Sequence, residues 1–503
     1  MKHFRKIVIL LMIVSLMLPM LFACDSNQED TSSVADTSSA PDTEVSDETS
    51  KREDIVPEIK DLDGREINVL CWDWSAGSAS ILGFTGEVIS NQEENPSSVD
   101  VAKKAVIDLI EEQYNVTIGG HVTNNNSYFS EIQTMVTSGI YTYDIVFGAS
   151  GHASVQMSNG YLTDLTTVST INLENSWWDQ NSVKDFSLNN ELYWVCGDIN
   201  TYDNLGTWCV LFNKTLKNDL SISDDFYAKV EEGTWNLDYF MEVCEGVTTN
   251  LPNTDDGIDE FDRWACGTER FNIFAHVVGA GIHGVQKDEN DLPFITVSQS
   301  PDRTYAALDK VINFYLGDEV MIANGGKYDG KGYSNVWEAT VHKAFIEGRE
   351  LFYICGLINV ASFRSMENEF GILPMPKTFA EQDEYYHTVS AGNSSYMMLP
   401  YGVPEVEDLG LVVEALAMNS QKLVTPEFYD VQLKYRDTRD DDSAAMLDLI
   451  FATRSFDLTP VFNWGGLLDC YTTPDANYAS RFDRILTAAE SAMQDTIADL
   501  LAE

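Results

Sequence analysis

The sequence predicts an α/β protein built around a parallel sheet, and three observations carry that expectation. Short apolar runs at Ile67–Cys71, Asn115–Ile118 and Tyr143–Phe147 have the length and composition of buried strands. Between the first two, Ala102, Val106, Ile110 and Tyr114 recur every four residues, the stripe of an amphipathic helix. A second helical stretch, Tyr128 to Thr137, separates the second run from the third. Strand–helix–strand–helix–strand is the order that yields parallel neighbours.

The first strand runs into Trp72-Asp73-Trp74 and a segment containing Gly77, and the second helix is closed by Gly139. The third strand runs into Gly148-Ala149-Ser150-Gly151-His152. In parallel sheets ligands sit beyond the C-terminal strand ends, so these two loops are expected beside any binding site.

The chain has 503 residues, 44% of them hydrophobic, with 31 Lys and Arg against 80 Asp and Glu, a formal charge of −49. That is an ordinary globular composition, long enough for two to three domains at roughly 150 residues each. The charge excludes the common modes of binding nucleic acid or anionic lipid, which need Lys and Arg to displace counterions from phosphates.

The N-terminus stands apart from the fold. Lys2, Arg5 and Lys6 precede an apolar stretch at residues 7–22. It falls short of the roughly 20 residues a membrane-spanning helix needs, and fits a signal peptide over residues 1–23. Leu21-Phe22-Ala23-Cys24 resembles the bacterial lipobox, with Phe22 bulkier than usual; the resemblance implies cleavage before Cys24 and a lipid on that cysteine. A plain secretory signal with an incidental Cys24 is the alternative. Residues 25–54 contain no aromatic residue and no Leu, Ile or Met, so residues 24–54 are expected to form a disordered acidic linker. As a flexible coil this leash spans about 30 Å.

Besides Cys24 there are Cys71, Cys196, Cys209, Cys244, Cys266, Cys355 and Cys470, widely spaced and without a C-x-x-C. The pattern argues against a disulfide framework or a zinc site and for small core residues, with a single bridge left open. Asp255, Asp256 and Asp259 cluster around Gly257 as calcium ligands do, but the spacing misses an EF-hand loop, and a solvated turn is the expectation. No nucleophile elbow, H-E-x-x-H or Walker loop is present. The glycines of Val278-Gly279-Ala280-Gly281-Ile282-His283-Gly284 follow a helix, not a strand, and lack the P-loop lysine. Neither a metal nor an organic cofactor is expected.

The body carries an ordered set of motifs. Tyr143-Asp144-Ile145-Val146 is followed by Gly160-Tyr161-Leu162-Thr163-Asp164-Leu165, Trp177-Trp178-Asp179, Leu192-Tyr193-Trp194-Val195-Cys196-Gly197-Asp198 and Val210-Leu211-Phe212-Asn213-Lys214. Gly233-Thr234-Trp235-Asn236, Ala344-Phe345-Ile346-Glu347-Gly348-Arg349 and Phe370-Gly371-Ile372-Leu373-Pro374-Met375-Pro376 complete it. Across roughly residues 65–400 this set resembles the extracellular solute-binding proteins of ABC importers, of the type that binds maltodextrins and multiple sugars. The resemblance implies a type II periplasmic-binding-protein fold: two α/β lobes joined by hinge strands, with a ligand held in the cleft between them. It places lobe one at 55–200 and 386–430, lobe two at 201–385, and C-terminal helices, 431–503, across both. Tyr435-Arg436-Asp437 and Met446-Leu447-Asp448-Leu449-Ile450 read as packed helices of that tail.

A sugar cleft needs aromatic platforms rimmed by planar hydrogen-bonding groups. The first-lobe candidates are Trp72, Asp73 and Trp74, of which alternation lets one Trp face the ligand, and Ser150, Gly151 and His152. Gly148, Gly151 and His152 stand where maltodextrin binders carry an aromatic, an acid and an arginine, so the resemblance implies the location without that clamp. In the second lobe the candidates are Glu269, Arg270 and Phe271, Trp337, and Gly356, beside which Leu357 departs from the expected platform. Asn393, in a return crossing, and Trp464 complete the set. The resemblance implies a monomeric extracytoplasmic receptor, anchored to the outer membrane face through Cys24, with a carbohydrate ligand, permease subunits as partners, and no catalysis. Two alternatives stay open: a secreted glycoside hydrolase, which needs two carboxylates about 5–9.5 Å apart, and a sugar sensor or adhesin that does not transport.

Overall fold

A computed structural model describes residues 53–73, 86–90, 96–123, 128–252, 257–328, 330–363, 365–429 and 441–501. The signal sequence, Cys24, Trp74, Asp255, Asp256 and Tyr435-Arg436-Asp437 lie outside the described residues. The linker ends earlier than expected. The Asp54 carboxylate accepts the N–H and hydroxyl of Ser176, both at 2.7 Å, and Ile55 exchanges hydrogen bonds with the Asn175 side chain.

The first sheet starts with β1 (Arg65–Trp72), whose Ile67, Val69, Leu70 and Cys71 have no exposed surface. Burial on both faces is what a parallel strand covered by helices requires. α1 (Ser98–Tyr114) begins where the Ser97 hydroxyl accepts the Asp100 N–H, and stops at Asn115, left-handed at φ 49°. Asn115 is therefore a helix cap, and β2 (Val116–Thr123) begins one residue later than the apolar run suggests. β2 pairs parallel with β1, Ile118 facing Ile67.

After α2 (Tyr128–Ser138), β3 (Ile145–Gly148) pairs parallel on the other side of β1, Ile145 facing Val69. Its register is pinned from outside the strand. The Asp144 carboxylate accepts the Asn68 N–H at 2.8 Å and pairs with Arg65 at 3.2 Å. The segment Gly148–His152 is not a loop: β3 ends at Gly148, Ala149 is the N-cap, and α3 (Ser150–Ser158) begins at once. Farther along, Asp179 caps α4 (Gln180–Phe186).

The second sheet is mixed. Its strands are β4 (Trp208–Asn213), β5 (Trp264–Thr268), β6 (Val320–Ile322), β7 (Glu350–Gly356) and β8 (Phe370–Leu373), in the order β8-β4-β7-β5-β6. β4 runs antiparallel to β7 and β8, and β5 parallel to β6 and β7. α5 (Asn272–Gly279) and α6 (Pro301–Tyr315) pack against each other beside it. The chain then returns to the first sheet with β9 (Tyr396–Met398), antiparallel to β3.

Three segments pass between the sheets side by side. Thr207, outbound, bridges Val389, inbound, and the Ser390 N–H reaches the Gly206 carbonyl at 2.9 Å. His387–Thr388 pairs in turn with Arg454–Ser455. The crossing is tight: a Cβ on Gly206 would fall 1.9 Å from the Ser394 hydroxyl and 2.8 Å from the Asn393 carbonyl. No residue but glycine fits there.

The C-terminal helices lie on both sheets' helices. α7 (Val406–Pro426) packs on α1, α8 (Asp441–Ala452) on β8, α9 (Leu467–Thr472) on α5, and α10 (Tyr478–Leu500) on α9 and α3. The seven described cysteines are buried thiols. Among the described residues no helix is long and apolar enough to cross a membrane.

Trp177-Trp178-Asp179 shows how one motif serves packing. Glu414 of α7, 2% exposed, accepts both indole N–H groups, at 2.8 and 2.7 Å, together with the Asn175 amide and the Asn172 N–H. Removing this carboxylate strands several buried donors at once. Glu414→Ala is expected to lower unfolding free energy by about 3 kcal/mol, measured by chemical denaturation.

Candidate functional site

Two adjoining cavities lie where the crossing segments meet the C-terminal ends of the first sheet. One, of about 330 Å³, is walled by Ala149, Gly151 and His152 from the first lobe and by Trp208, Glu269 and Phe271 from the second. Ser390–Asn393 of the return crossing and Pro460 and Leu468 of the C-terminal segment close it. The other, of about 250 Å³, runs from Leu205 and Gly206 past Trp208, Glu269 and Asn393 to Trp337, Gly356, Ile358 and Asn359. Trp208, Glu269 and Asn393 belong to both walls, so the two form one cleft. A larger cavity of about 500 Å³ lies beside β6, between Trp264, Tyr328 and Glu319. Its wall comes from the second lobe save for Pro474, so a movement of lobe on lobe does not enclose it.

Both indoles of the walls are held by hydrogen bonds. The Trp208 indole donates to Asn272 Oδ1 at 2.5 Å, and its ring packs 5.1 Å from that of Phe271. Asn272 is fixed in turn, its amide donating to Thr268 and to the Ile354 carbonyl. Trp337 donates to the Tyr353 hydroxyl at 2.8 Å and lies over His342 at 4.3 Å. Its setting is helical, the start of the helix at 338–346, and not the loop its glycine- and asparagine-rich neighbourhood suggests.

Glu269 is the one carboxylate among the described residues of both walls, and neither wall contains a lysine or arginine. Asn324 donates to Glu269 Oε1 at 2.6 Å. Burial nonetheless raises its carboxyl to about 7, with the Asn324 bond pulling the other way. His152, half-buried, has its pKa lowered by burial, and its ring lies 6.4 Å from that of Trp72 at the end of β1. The described walls thus combine aromatic rings with amide groups, an imidazole and one carboxylate.

The expected residues divide by place. Gly151, His152, Glu269, Phe271, Trp337, Gly356 and Asn393 come together in the walls. Trp72 stands behind His152, and the Asp73 N–H extends the sheet by bonding the Thr123 carbonyl. Ser150 faces inward: fully buried, its hydroxyl donates to the Ala391 carbonyl at 3.3 Å, tying α3 to the return crossing. Arg270 is not among the residues lining either cavity; it is half-exposed and 4.0 Å from Asp469. Trp464 is a core residue, 5% exposed, stacked on Phe462 at 4.4 Å and donating to Thr496.

Of the acidic turn, Asp259 accepts the Phe261 N–H, while Asp262 takes the N–H groups of Asp259 and Leu251. Its described oxygens thus hold the turn itself. Among the described residues no three His, Cys, Asp or Glu side chains group as metal ligands.

Trp208 and Asn359 escaped the sequence reading. Trp208 opens Trp208-Cys209-Val210-Leu211-Phe212, an apolar run whose natural assignment is a core strand. The one available signal was its place two residues after the crossing glycine, Gly206. Pro460 and Leu468 carried no signal at all.

A family model described as bacterial extracellular solute-binding protein matches residues 105–406. Among curated proteins none matches the chain in sequence. Among solved structures, an ABC substrate-binding protein of Listeria monocytogenes in complex with cycloalternan is similar at 11% identity, covering 84% of this chain and 99% of that one, with a TM-score of 0.52. UgpB of Mycobacterium tuberculosis in complex with glycerophosphocholine is similar at 17% identity over 85% and 98%, with a TM-score of 0.51. A sugar transporter of Rhizobium etli in an open conformation is similar at 14% identity over 87% and 99%, with a TM-score of 0.52. At these identities the likeness is one of fold, and the fold is the two-lobed architecture with a cleft at its crossing strands. With the family model spanning both sheets, the chain belongs to the bacterial extracellular solute-binding proteins.

Proposed function

We propose that the cleft captures a neutral oligosaccharide and presents it, unaltered, to a membrane permease. The observation that carries this reading is the wall itself: Trp208, Phe271 and Trp337 line it beside the planar heads of Glu269, Asn393 and Asn359, with no lysine or arginine among its described residues. Aromatic faces suit the apolar faces of sugar rings, and carboxylate and amide groups suit vicinal hydroxyls. An anionic solute would meet a carboxylate with nothing to pair against. The sugar and glycerophosphocholine complexes of the similar structures support a small polar solute in this place. A glycosidase needs a second carboxylate facing Glu269, which the described walls do not supply.

In this reading the moving bodies are residues 55–200 with 386–430 and residues 201–385, carried by the three crossing segments. Ligand touching both favours the closed form only as far as it binds that form better. The exported chain is held on the outer face of the membrane through lipidated Cys24, with the acidic linker as tether.

A thermal-shift screen against neutral oligosaccharides tests the reading. Saturation a hundredfold above Kd stabilises by about 2.7 kcal/mol, and a flat response to every neutral glycan would sink the assignment. Trp208→Ala and Trp337→Ala are each expected to weaken the best ligand by roughly ten- to a hundredfold in calorimetry, whereas Trp464→Ala lowers stability and leaves affinity alone.

Glu269 adds a pH signature. Its carboxyl is raised from 4.5 to about 7 in the folded, empty protein, so the fold holds the proton more tightly than the unfolded chain does. Its contribution to stability is therefore complete below pH 4.5 and is lost as pH rises through 7. A ligand hydroxyl donates to the ionised form, so affinity follows the ionised fraction and tightens roughly tenfold from pH 6 to pH 8. Glu269→Gln flattens both slopes, as titration calorimetry and melting curves across that range would record.

A further inference from the structure

Cys209 and Cys355 stand directly opposite each other in the antiparallel pairing of β4 with β7. Facing residues of such a pair hold their Cα atoms about 4.5–5.5 Å apart, within the roughly 4.4–6.8 Å that a disulfide spans. Both side chains are buried, at 0% and 4% exposure. No other described cysteine has this register. Cys71 faces Val122 and Phe147, Cys266 faces Val320 and Phe352, and Cys196, Cys244 and Cys470 lie outside the paired strands.

We propose that Cys209 and Cys355 form a cross-strand disulfide when the exported chain folds in the presence of an oxidising disulfide. The oxidant is a small-molecule or protein disulfide. One cysteine thiolate attacks it and displaces its first thiol, forming a mixed disulfide. The second cysteine then attacks that bond and displaces the second thiol. The pair loses two electrons and two protons, an S–S bond forms, and the oxidant leaves as two thiols. In the folded protein, burial and the contact with Cys209 hold the Cys355 thiol well above its ordinary pKa, which suppresses the thiolate. The bond therefore forms during folding, before β4 and β7 are covered.

The consequence falls on the cleft. Trp208 and Gly356, the next facing pair in the same ladder, both line it. A cross-link one position away holds the ends of β4 and β7 together where the aromatic wall begins, and encloses residues 209–355 in a covalent loop. The bond is expected to raise the melting temperature and to restrain Trp208 against the ligand, whatever that ligand is.

The test is a thiol map of the full exported chain in two preparations. One is purified without reductant; the other is refolded from denaturant with oxidised glutathione. Free thiols are alkylated under denaturing conditions and the peptides identified by mass spectrometry. The expected result, in either preparation, is a Cys209–Cys355 peptide pair lighter by two hydrogens than its reduced form and separated by dithiothreitol. Reduction should also lower the melting temperature of the native protein but not that of the double variant Cys209→Ala/Cys355→Ala. Full alkylation of both cysteines in both preparations overturns the proposal. So does finding either one bonded only to glutathione or to another cysteine of the chain. The peptide map decides the question even if the double variant fails to fold.

Discussion

The guanidinium of Arg454 is the interaction on which the arrangement of the lobes depends. It lies on the third crossing segment, its side chain 10% exposed, and pairs with Asp179 at the cap of α4 and with Asp203 at 2.9 Å. The same nitrogen that meets Asp203 also donates to Asn204 Oδ1. One side chain thus joins the C-terminal return, the first lobe and the outbound crossing. A buried charge is costly unless every partner is present, so the cluster enforces geometry more than it adds net stability. Burial pushes the Asp203 carboxyl up and Arg454 draws it down, while the two carboxylates hold Arg454 charged. Removing Arg454 leaves both carboxylates buried without their cation. Gly206 and the Thr207–Val389 bridge lie within the same crossing, so the hinge and the cleft floor share one set of constraints.

Above that floor the cleft is built from polar groups placed behind aromatic ones. Asn272 holds Trp208 and Tyr353 holds Trp337 through their indole N–H groups. Rings pinned in this way lose little freedom on binding, so their faces are preorganised for a ligand. The described walls hold one carboxylate although the chain carries −49. Apart from Glu269, the described acids lie outside these walls, where they favour solubility and mutual repulsion.

Several motifs that announced the family turned out to serve packing. Trp177 and Trp178 are tied to Glu414, Asp179 caps a helix and meets Arg454, and Asp144 sets the register of β3. Recurrent sequence here marks joints of the scaffold. The wall residues come instead from less distinctive places: Trp208 from a strand that reads as core, Asn359 and Ile358 from a turn after β7, Leu468 from the C-terminal segment. Ser150 and Trp464 show the converse. Ser150 is flanked by cleft residues and Trp464 lies between Pro460 and Leu468 in sequence, yet both are buried and hydrogen-bonded within the fold.

The sequence by itself determined the succession of strands and helices in the first sheet and the motif order that marks the family. The first rests on local spacing: a period near four for α1 and short apolar runs for β1 and β3. Tertiary structure alone decided which polar and aromatic groups line the cleft. Gly151, Glu269, Asn393 and Leu468 are brought to one wall by three passages between the sheets, and periodicity records that a face is buried without recording what it is buried against. Trp208 and Trp464 have the same side chain and nearly the same exposure, 7% and 5%; the partner across the gap, not the residue, sets them apart.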